Sequence, residues 1–188
     1  MPRLFFVTGL PRSRTAWMSV FLTHGPSICL HEPTTRCGSM KEVRELMESQ
    51  QPLGWVGAAD PNLGLFAEEW LAEFGHDTPI VAIARSAQGS VTAGQRAFGG
   101  RTTDLEHVAA ETARGLKLIE DARGLPTVAY DQLDAQLSEV WEELGLREPF
   151  PTAWHRELAR LNIQAQQSSY DQPDPKFLEW LRSRLGSR

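Results

Sequence analysis

The stretch from residue 4 to residue 22 constrains the fold most, because it reads as a strand, a tight loop and a helix in direct succession. Residues 4–8 form a continuous apolar run of the kind found in strands that are buried on both faces. Residues 9–11, Gly-Leu-Pro, interrupt that run. The apolar side chains that follow are spaced three and four residues apart, as on one face of a helix: Trp17, Val20 and Phe21.

The loop between this strand and this helix has the composition of an anion site. A helix that begins near Ser13 would aim free backbone N–H groups and the positive end of its dipole at one point. Arg12 and Arg14 lie inside the loop, and Ser13 and Thr15 add hydroxyl donors. The sequence therefore predicts a loop that binds phosphate or sulfate. The alternative is an ordinary turn in which Ser13 caps the helix and the arginines are solvated.

The loop differs from the Walker A pattern of ATP-binding proteins, G-x-x-x-x-G-K-[ST]. Counted from Gly9, the second glycine of that pattern falls on Arg14 and its lysine falls on Thr15. The lysine that would reach the terminal phosphates of ATP is therefore missing.

Residues 11–17, Pro-Arg-Ser-Arg-Thr-Ala-Trp, instead resemble the 5′-phosphosulfate loop of the sulfotransferases, usually written P-[KR]-S-G-[ST]-x-x. Arg14 replaces the usual glycine, and its side chain would either crowd the donor or add an anion contact. The resemblance implies a P-loop-like α/β fold and 3′-phosphoadenosine 5′-phosphosulfate (PAPS) as sulfonate donor. It assigns the donor to a continuous set of residues, with Trp17 as a candidate for stacking on adenine: Pro11, Arg12, Ser13, Arg14, Thr15, Ala16 and Trp17.

Composition is that of an ordinary globular chain. The 188 residues fit one domain, 1–188, and are 41% hydrophobic and 23% charged. A net charge of −5 argues against broad nucleic-acid binding, whereas the local excess of arginine near the N-terminus suits a small anionic ligand. Two cysteines make no disulfide framework, and no apolar run approaches the length of a membrane span. We therefore expect a reduced, cytoplasmic protein with neither a signal peptide nor a membrane partner.

Four further apolar runs alternate with helical patterns along the chain. The predicted strands after the first are residues 27–30, 54–60, 79–84 and 126–130. The predicted helices are residues 39–49, 62–74, 86–98, 103–124, 131–145, 152–163 and 174–185. This alternation predicts a parallel sheet of about five strands in a three-layer α/β/α sandwich.

Two later segments also resemble sulfotransferases. Arg85 follows the fourth predicted strand, where the family's arginine contacts the 3′-phosphate of the donor. The serine usually found eight residues later is Ala93 here, so Ser90 is the candidate partner. The alternative is that Arg85 pairs with a surface acid. Residues 128–133 resemble a Y-E-D-L segment that we interpret as structural, and a lid, if the chain has one, is expected at residues 164–173.

Two neighbouring residues are candidates for the base that sulfonyl transfer to a hydroxyl needs. Glu32 matches a glutamate that related carbohydrate-type sulfotransferases use in a similar E-P segment, and His31 is the second candidate, since its ordinary pKa suits a base. Strand alternation predicts that their side chains point to opposite faces. Alternatively, Glu32 pairs with Arg14 or Arg36 and only shapes the loop.

The resulting hypothesis is a PAPS-dependent sulfotransferase with Arg12, Glu32 and His31 as catalytic candidates. It would move a sulfonyl group to a hydroxyl or amine of a small-molecule or carbohydrate acceptor and release 3′-phosphoadenosine 5′-phosphate (PAP), without a metal. One alternative is an ATP-dependent small-molecule kinase in which Asp60 serves a magnesium ion; otherwise Asp60 is expected to line the acceptor pocket. A third hypothesis is a non-catalytic nucleotide- or anion-binding module. The acceptor and the oligomeric state stay open.

Overall fold

Five short strands form one parallel sheet in the computed structural model, which describes residues 2–50, 54–98, 102–161 and 175–185. Their order across the sheet is β2-β3-β1-β4-β5, so the first strand is central. The prediction of five parallel strands is confirmed. The strands are β1 (Arg3–Gly9), β2 (Ser27–His31), β3 (Trp55–Ala59), β4 (Ile80–Ala84) and β5 (Thr127–Ala129).

Helices connect the strands, as the alternation predicted. They are α1 (Thr15–Leu22), α2 (Met40–Gln50), α3 (Ala67–Phe74), α4 (Ala87–Phe98), α5 (Thr102–Arg123), α6 (Leu133–Glu143), α7 (Thr152–Leu158) and α8 (Pro175–Leu185). Within the described part of the chain, no helix has both the length and the apolar character needed to cross a bilayer. The segment predicted as a lid, residues 164–173, lies outside the described residues.

One predicted helix is two elements. The segment predicted as a single helix from residue 62 to residue 74 is a 3₁₀ helix, Pro61–Phe66, followed by α3. Gly64 of the 3₁₀ helix and Gly115 of α5 are in close contact. A Cβ atom added at Gly115 would lie 1.7 Å from the carbonyl oxygen of Gly64. Only glycine allows this approach, which fixes the segment that follows β3 against a long helix.

Both faces of the sheet are covered by a hydrophobic core. Phe5 and Val7 of β1 lie in a cluster with α1 and α6, whereas Phe6 lies in a second cluster with α2, α3 and α5. Because side chains of a strand alternate between faces, an uninterrupted apolar run is required of a strand buried on both sides. The result is three layers, with helices on each side of the sheet.

The parallel arrangement brings the carboxyl ends of all five strands to one edge. The chain leaves β1 toward β2 on one side, and β4 and β5 lie on the other side of β1. Such a change of direction opens a crevice at the carboxyl end of the central strand, where open α/β sheets bind ligands. The predicted site residues follow these strand ends: the loop after β1, Glu32 after β2, Asp60 after β3 and Arg85 after β4.

Candidate anion-binding and catalytic site

The loop from Gly9 to Arg14 has an unusual backbone. Arg12 and Arg14 both adopt left-handed conformations, with φ of 68° and 64°. A Cβ atom at Gly9 would lie 2.5 Å from the carbonyl oxygen of Ile83, so the loop leaves β1 tightly against β4. A left-handed residue with a side chain is unfavourable by about 1–2 kcal/mol. Such strain persists only where the surroundings hold it, and it is concentrated at functional sites.

Two side chains from the β4–α4 segment hold this loop. The guanidinium of Arg85 donates a hydrogen bond to the carbonyl of Arg12 and lies 4.3 Å from the ring centre of Tyr130. Ser90 Oγ donates to the carbonyl of Pro11 at 2.6 Å. The structure thus brings both residues to the loop, and their predicted contact with a 3′-phosphate stays a prediction. Both residues bond to the backbone of the loop, and among the described residues Arg85 forms no ion pair with a surface acid.

Ser13 carries a hydroxyl that the protein itself leaves unsatisfied. The residue is fully buried, and its Oγ has no hydrogen-bond partner among the described residues. Its N–H donates to the carbonyl of Leu10 at 3.1 Å, and Arg14, not Ser13, is the N-cap residue of α1. The alternative of Ser13 as a helix cap is therefore wrong. A buried unpaired hydroxyl is unfavourable by about 1–3 kcal/mol.

The first turn of α1 supplies further donors. The first backbone hydrogen bond of the helix runs from the N–H of Met18 to the carbonyl of Arg14 at 2.9 Å. Helix geometry therefore leaves the N–H groups of Thr15, Ala16 and Trp17 without carbonyl partners in their own helix. No acidic side chain lies in this turn. The positive end of the helix dipole thus faces the loop without a neutralising carboxylate.

The side chain of Arg14 contacts α6 and the first turn of α1. Its guanidinium makes two hydrogen bonds of 2.9 Å to the carboxylate of Asp134 in α6, and it lies 4.6 Å from the ring centre of Trp17. These hydrogen bonds hold the pKa of Asp134 below its usual range. Arg14 therefore links the loop to α6. This geometry shows neither of the two effects expected of Arg14, which were crowding of the donor and an added anion contact.

Trp17 is a core residue. Its side chain is only 4% exposed and stacks on Phe21 with the ring centres 5.3 Å apart. With Arg14 also over the ring, the predicted stacking of adenine on Trp17 does not agree with its packing. The same apolar spacing that predicted α1 accounts for this, because it places Trp17 on the buried face of the helix.

Glu32 follows β2 with a left-handed backbone of its own, at φ 47° and ψ 51°. Its N–H still donates to the carbonyl of Ala59 at 3.1 Å. The change of backbone ends the strand alternation, so His31 Nε2 and Glu32 Oε1 lie only 3.5 Å apart. The prediction that these two side chains point to opposite faces is therefore wrong.

Burial governs the charges of this pair. It raises the pKa of Glu32 to about 7, with a further increase from the negative charge of Asp60 and a decrease from Arg12. Burial, with a smaller effect of Arg36, lowers the pKa of His31 to about 4. At neutral pH His31 is uncharged, so the 3.5 Å contact is not an ion pair. Glu32 titrates close to neutrality, as a general base should.

Asp60 is fully buried at the end of β3. Its Oδ2 accepts hydrogen bonds from Thr34 N at 3.0 Å and Thr34 Oγ1 at 2.6 Å, and its Oδ1 accepts one from Asn62 N at 2.8 Å. The prediction that Asp60 lines an acceptor pocket is wrong, because the side chain has no exposed surface. Among the described residues no cluster of His, Cys, Asp or Glu suits a metal ion.

Sequence reasoning missed the partners of Asp60. Thr34 lies in the 3₁₀ helix Pro33–Arg36, and its contact with Asp60 joins residues 26 positions apart. The contact with Asn62 had a local signal, since an aspartate commonly accepts a hydrogen bond from the backbone two residues later. The contact between Arg14 and Asp134, which are 120 positions apart in the sequence, was also missed.

Comparison of the chain with models of protein families found no match, and comparison with curated proteins found none either.

Proposed function

We propose that this protein is a PAPS-dependent sulfotransferase with a P-loop-like sulfotransferase fold. It transfers a sulfonyl group to a hydroxyl or amine of a small-molecule or carbohydrate acceptor. The observation that carries the proposal is a strained loop at the N-terminus of α1 beside a carboxyl group whose pKa is raised to about 7. The loop supplies donors for a phosphosulfate, and Glu32 supplies a base within the electrostatic reach of Arg12.

The donor side of the reaction rests on the loop and α1. In the proposal, the N–H groups of the first turn of α1 bind the 5′-phosphosulfate. A contact of the donor with Ser13 stays a prediction, because the Ser13 hydroxyl is fully buried. The guanidinium of Arg12 balances the charge that develops on the leaving phosphate. A preorganised donor of this kind contributes about 3–4 kcal/mol to transition-state stabilisation. Arg85 and Ser90 hold the loop carbonyls, which supports the same site, and their contact with a 3′-phosphate stays a prediction.

The acceptor side rests on Glu32. The carboxylate takes the proton of the acceptor hydroxyl as the acceptor oxygen forms a bond to sulfur. The bond between sulfur and the bridging phosphate oxygen breaks in line with that attack, and PAP leaves with the electron pair. His31, uncharged at neutral pH, lies 3.5 Å from the carboxylate and orients it.

The alternative functions receive less support. A kinase that uses Asp60 for magnesium would need its carboxylate oxygens, but these accept three hydrogen bonds inside the protein. A module that only binds nucleotides has no use for a half-buried carboxyl with a pKa of about 7. Perturbed carboxyls of this kind are concentrated at catalytic sites.

Thermal unfolding with added nucleotides tests the proposal. We expect PAP to raise the melting temperature in buffer with a chelator present, and ATP to do so weakly or not at all. A ligand at 100 times its dissociation constant adds about 2.7 kcal/mol of stability, which is easily measured. A shift with ATP that requires magnesium, with no effect of PAP, would contradict the proposal and favour a kinase.

A further inference from the structure

The carboxyl groups of Glu32 and Asp60 occupy equivalent places at two adjacent strand ends. In the parallel pair of β2 and β3, His31 is opposite Ala59, so Glu32 and Asp60 are the next residues of their strands. The N–H of Glu32 donates to the carbonyl of Ala59 at 3.1 Å, which keeps the two chains together at this point. The next step along the chain from Glu32 is the 3₁₀ helix Pro33–Arg36, and its Thr34 is bound to Asp60.

The environments of the two carboxyl groups differ sharply. Asp60 accepts hydrogen bonds from two N–H groups and one hydroxyl, all of which favour a carboxylate. Glu32 is buried without such a set of hydrogen bonds among the described residues, and the uncharged ring of His31 lies 3.5 Å from its carboxyl. When two carboxyl groups lie close together, the one with fewer donors holds the proton. Burial raises the pKa of Asp60, and its hydrogen bonds to Thr34 and Asn62 oppose that rise. Glu32 has no comparable set of donors, so it is the member of the pair that exchanges protons near neutral pH.

We propose that Asp60 is a positioning residue for Glu32. Through Thr34 it holds the turn that keeps Glu32 in its left-handed conformation, and its buried charge sets the field in which Glu32 takes up and releases a proton. The inference rests on the proposed function only where Glu32 is called a base, because the hydrogen bonds that join Asp60 to the turn after Glu32 are present whether or not sulfonyl transfer occurs.

The groups that act on Glu32 come from several elements. Asp60 at the end of β3 raises the pKa of Glu32, Arg12 in the loop lowers it, and His31 of β2 contacts it. Arg36 acts on His31. Of the charged groups named here that act on Glu32, Asp60 is the negative one and Arg12 the positive one. Asp60→Asn thus removes the negative charge and leaves the positive charge in place.

The test is a titration of the Glu32 carboxyl by carbon-13 NMR in the full chain, with assignment from Glu32→Gln. In Asp60→Asn we expect the pKa of Glu32 to fall by on the order of one unit, since one of its two causes is removed. Asp131→Asn is the matched control, because it removes an exposed carboxyl at the same edge of the sheet, after β5. It should leave the pKa of Glu32 unchanged.

A second pair of variants covers the case in which Asp60→Asn does not fold. Thr34→Val removes the closest donor to Asp60, so Asp60 holds its charge less firmly and the pKa of Glu32 should fall; Thr34→Ser should restore it. An unchanged pKa of Glu32 in Asp60→Asn or Thr34→Val, or an equal fall in Asp131→Asn, overturns the inference. Failure of sulfonyl transfer with the NMR result intact would contradict the proposed function alone.

Discussion

Glu32 joins two unusual properties in one residue: a left-handed backbone and a carboxyl with a pKa of about 7. All residues other than glycine with positive φ in the described chain, Arg12, Arg14 and Glu32, lie at the candidate site. Strain of this kind has to be held by neighbouring contacts, and here those contacts are the hydrogen bonds of Arg85, Asp134 and Asp60. At the scale of the residue, the site is recognisable by its strained backbone as much as by its side chains.

The raised pKa of Glu32 predicts how stability depends on pH. Because the folded pKa of about 7 exceeds the ordinary value of 4.5, the contribution of Glu32 is fully present below about pH 4.5 and is lost as the pH rises to 7. His31 acts in the opposite sense: its lowered pKa favours the folded state above pH 6.5 and penalises it as the pH falls to about 4.

Glu32→Gln should therefore be more stable than the wild type at pH 8, by about 3 kcal/mol. The gain should shrink toward zero below about pH 4.5, where Glu32 becomes protonated in both states. Urea unfolding at pH 5, 6.5 and 8 measures the difference. A difference that does not change with pH would show that Glu32 titrates near its ordinary pKa.

At the scale of elements, the strand-to-helix loop depends on a contact with α6 that is distant in sequence. Arg14 stands where the resembling motif has glycine, and it adopts the left-handed conformation that glycine adopts most easily. Its pair with Asp134 joins residues 120 positions apart. Because Asp134 is 56% exposed, this pair contributes little, on the order of 0.2–1 kcal/mol.

Arg14→Gly and Arg14→Ala separate the strain from the pair. Both variants lose the contact with Asp134, but only glycine also relieves the left-handed strain, so Arg14→Gly should be more stable by about 1–2 kcal/mol. Urea unfolding of the two variants under identical conditions gives the difference directly. Equal stabilities would show that the backbone at residue 14 relaxes when the arginine is removed.

The sequence predicted elements better than contacts between them. The apolar runs gave all five strands because a parallel strand buried on both faces cannot contain polar side chains in its middle. The loop was found because glycine, proline and hydroxyl donors follow β1 directly. The contacts of Arg14 with Asp134 and of Asp60 with Thr34 could not be predicted, since each depends on the final packing of distant segments. The left-handed backbone of Glu32, which brings the side chains of His31 and Glu32 together, could not be predicted either, because it also depends on the packing of distant segments.

At the scale of the whole molecule, one edge of the sheet carries the cationic loop and the titrating carboxyl, while the chain as a whole has a net charge of −5. An acidic surface with a local cationic site favours small anions over polyanions. The fold supplies this arrangement through the central position of β1, whose loop lies between the ends of β3 and β4.

Arg12→Ala should remove most of the affinity for PAP and leave the fold intact. Loss of the Arg12 side chain should change the free energy of unfolding by less than about 1 kcal/mol. The affinity for PAP should fall tenfold or more. Calorimetric titration with PAP measures the affinity. Arg36→Ala, at an exposed arginine near His31, is the matched control and should bind PAP normally. Large destabilisation of Arg12→Ala without ligand would assign Arg12 a structural role.

The most direct test of the central claim is the release of PAP from PAPS, followed by chromatography, with a panel of alcohols, phenols and amino sugars as acceptors. We predict acceptor-dependent release by the wild type, with kcat/KM rising through about pH 7 as Glu32 loses its proton. Glu32→Gln should bind PAP as the wild type does and turn over about 10²–10⁴-fold more slowly. PAP binding by both proteins, with no acceptor-dependent release by the wild type beyond that of Glu32→Gln at any pH, would contradict the account.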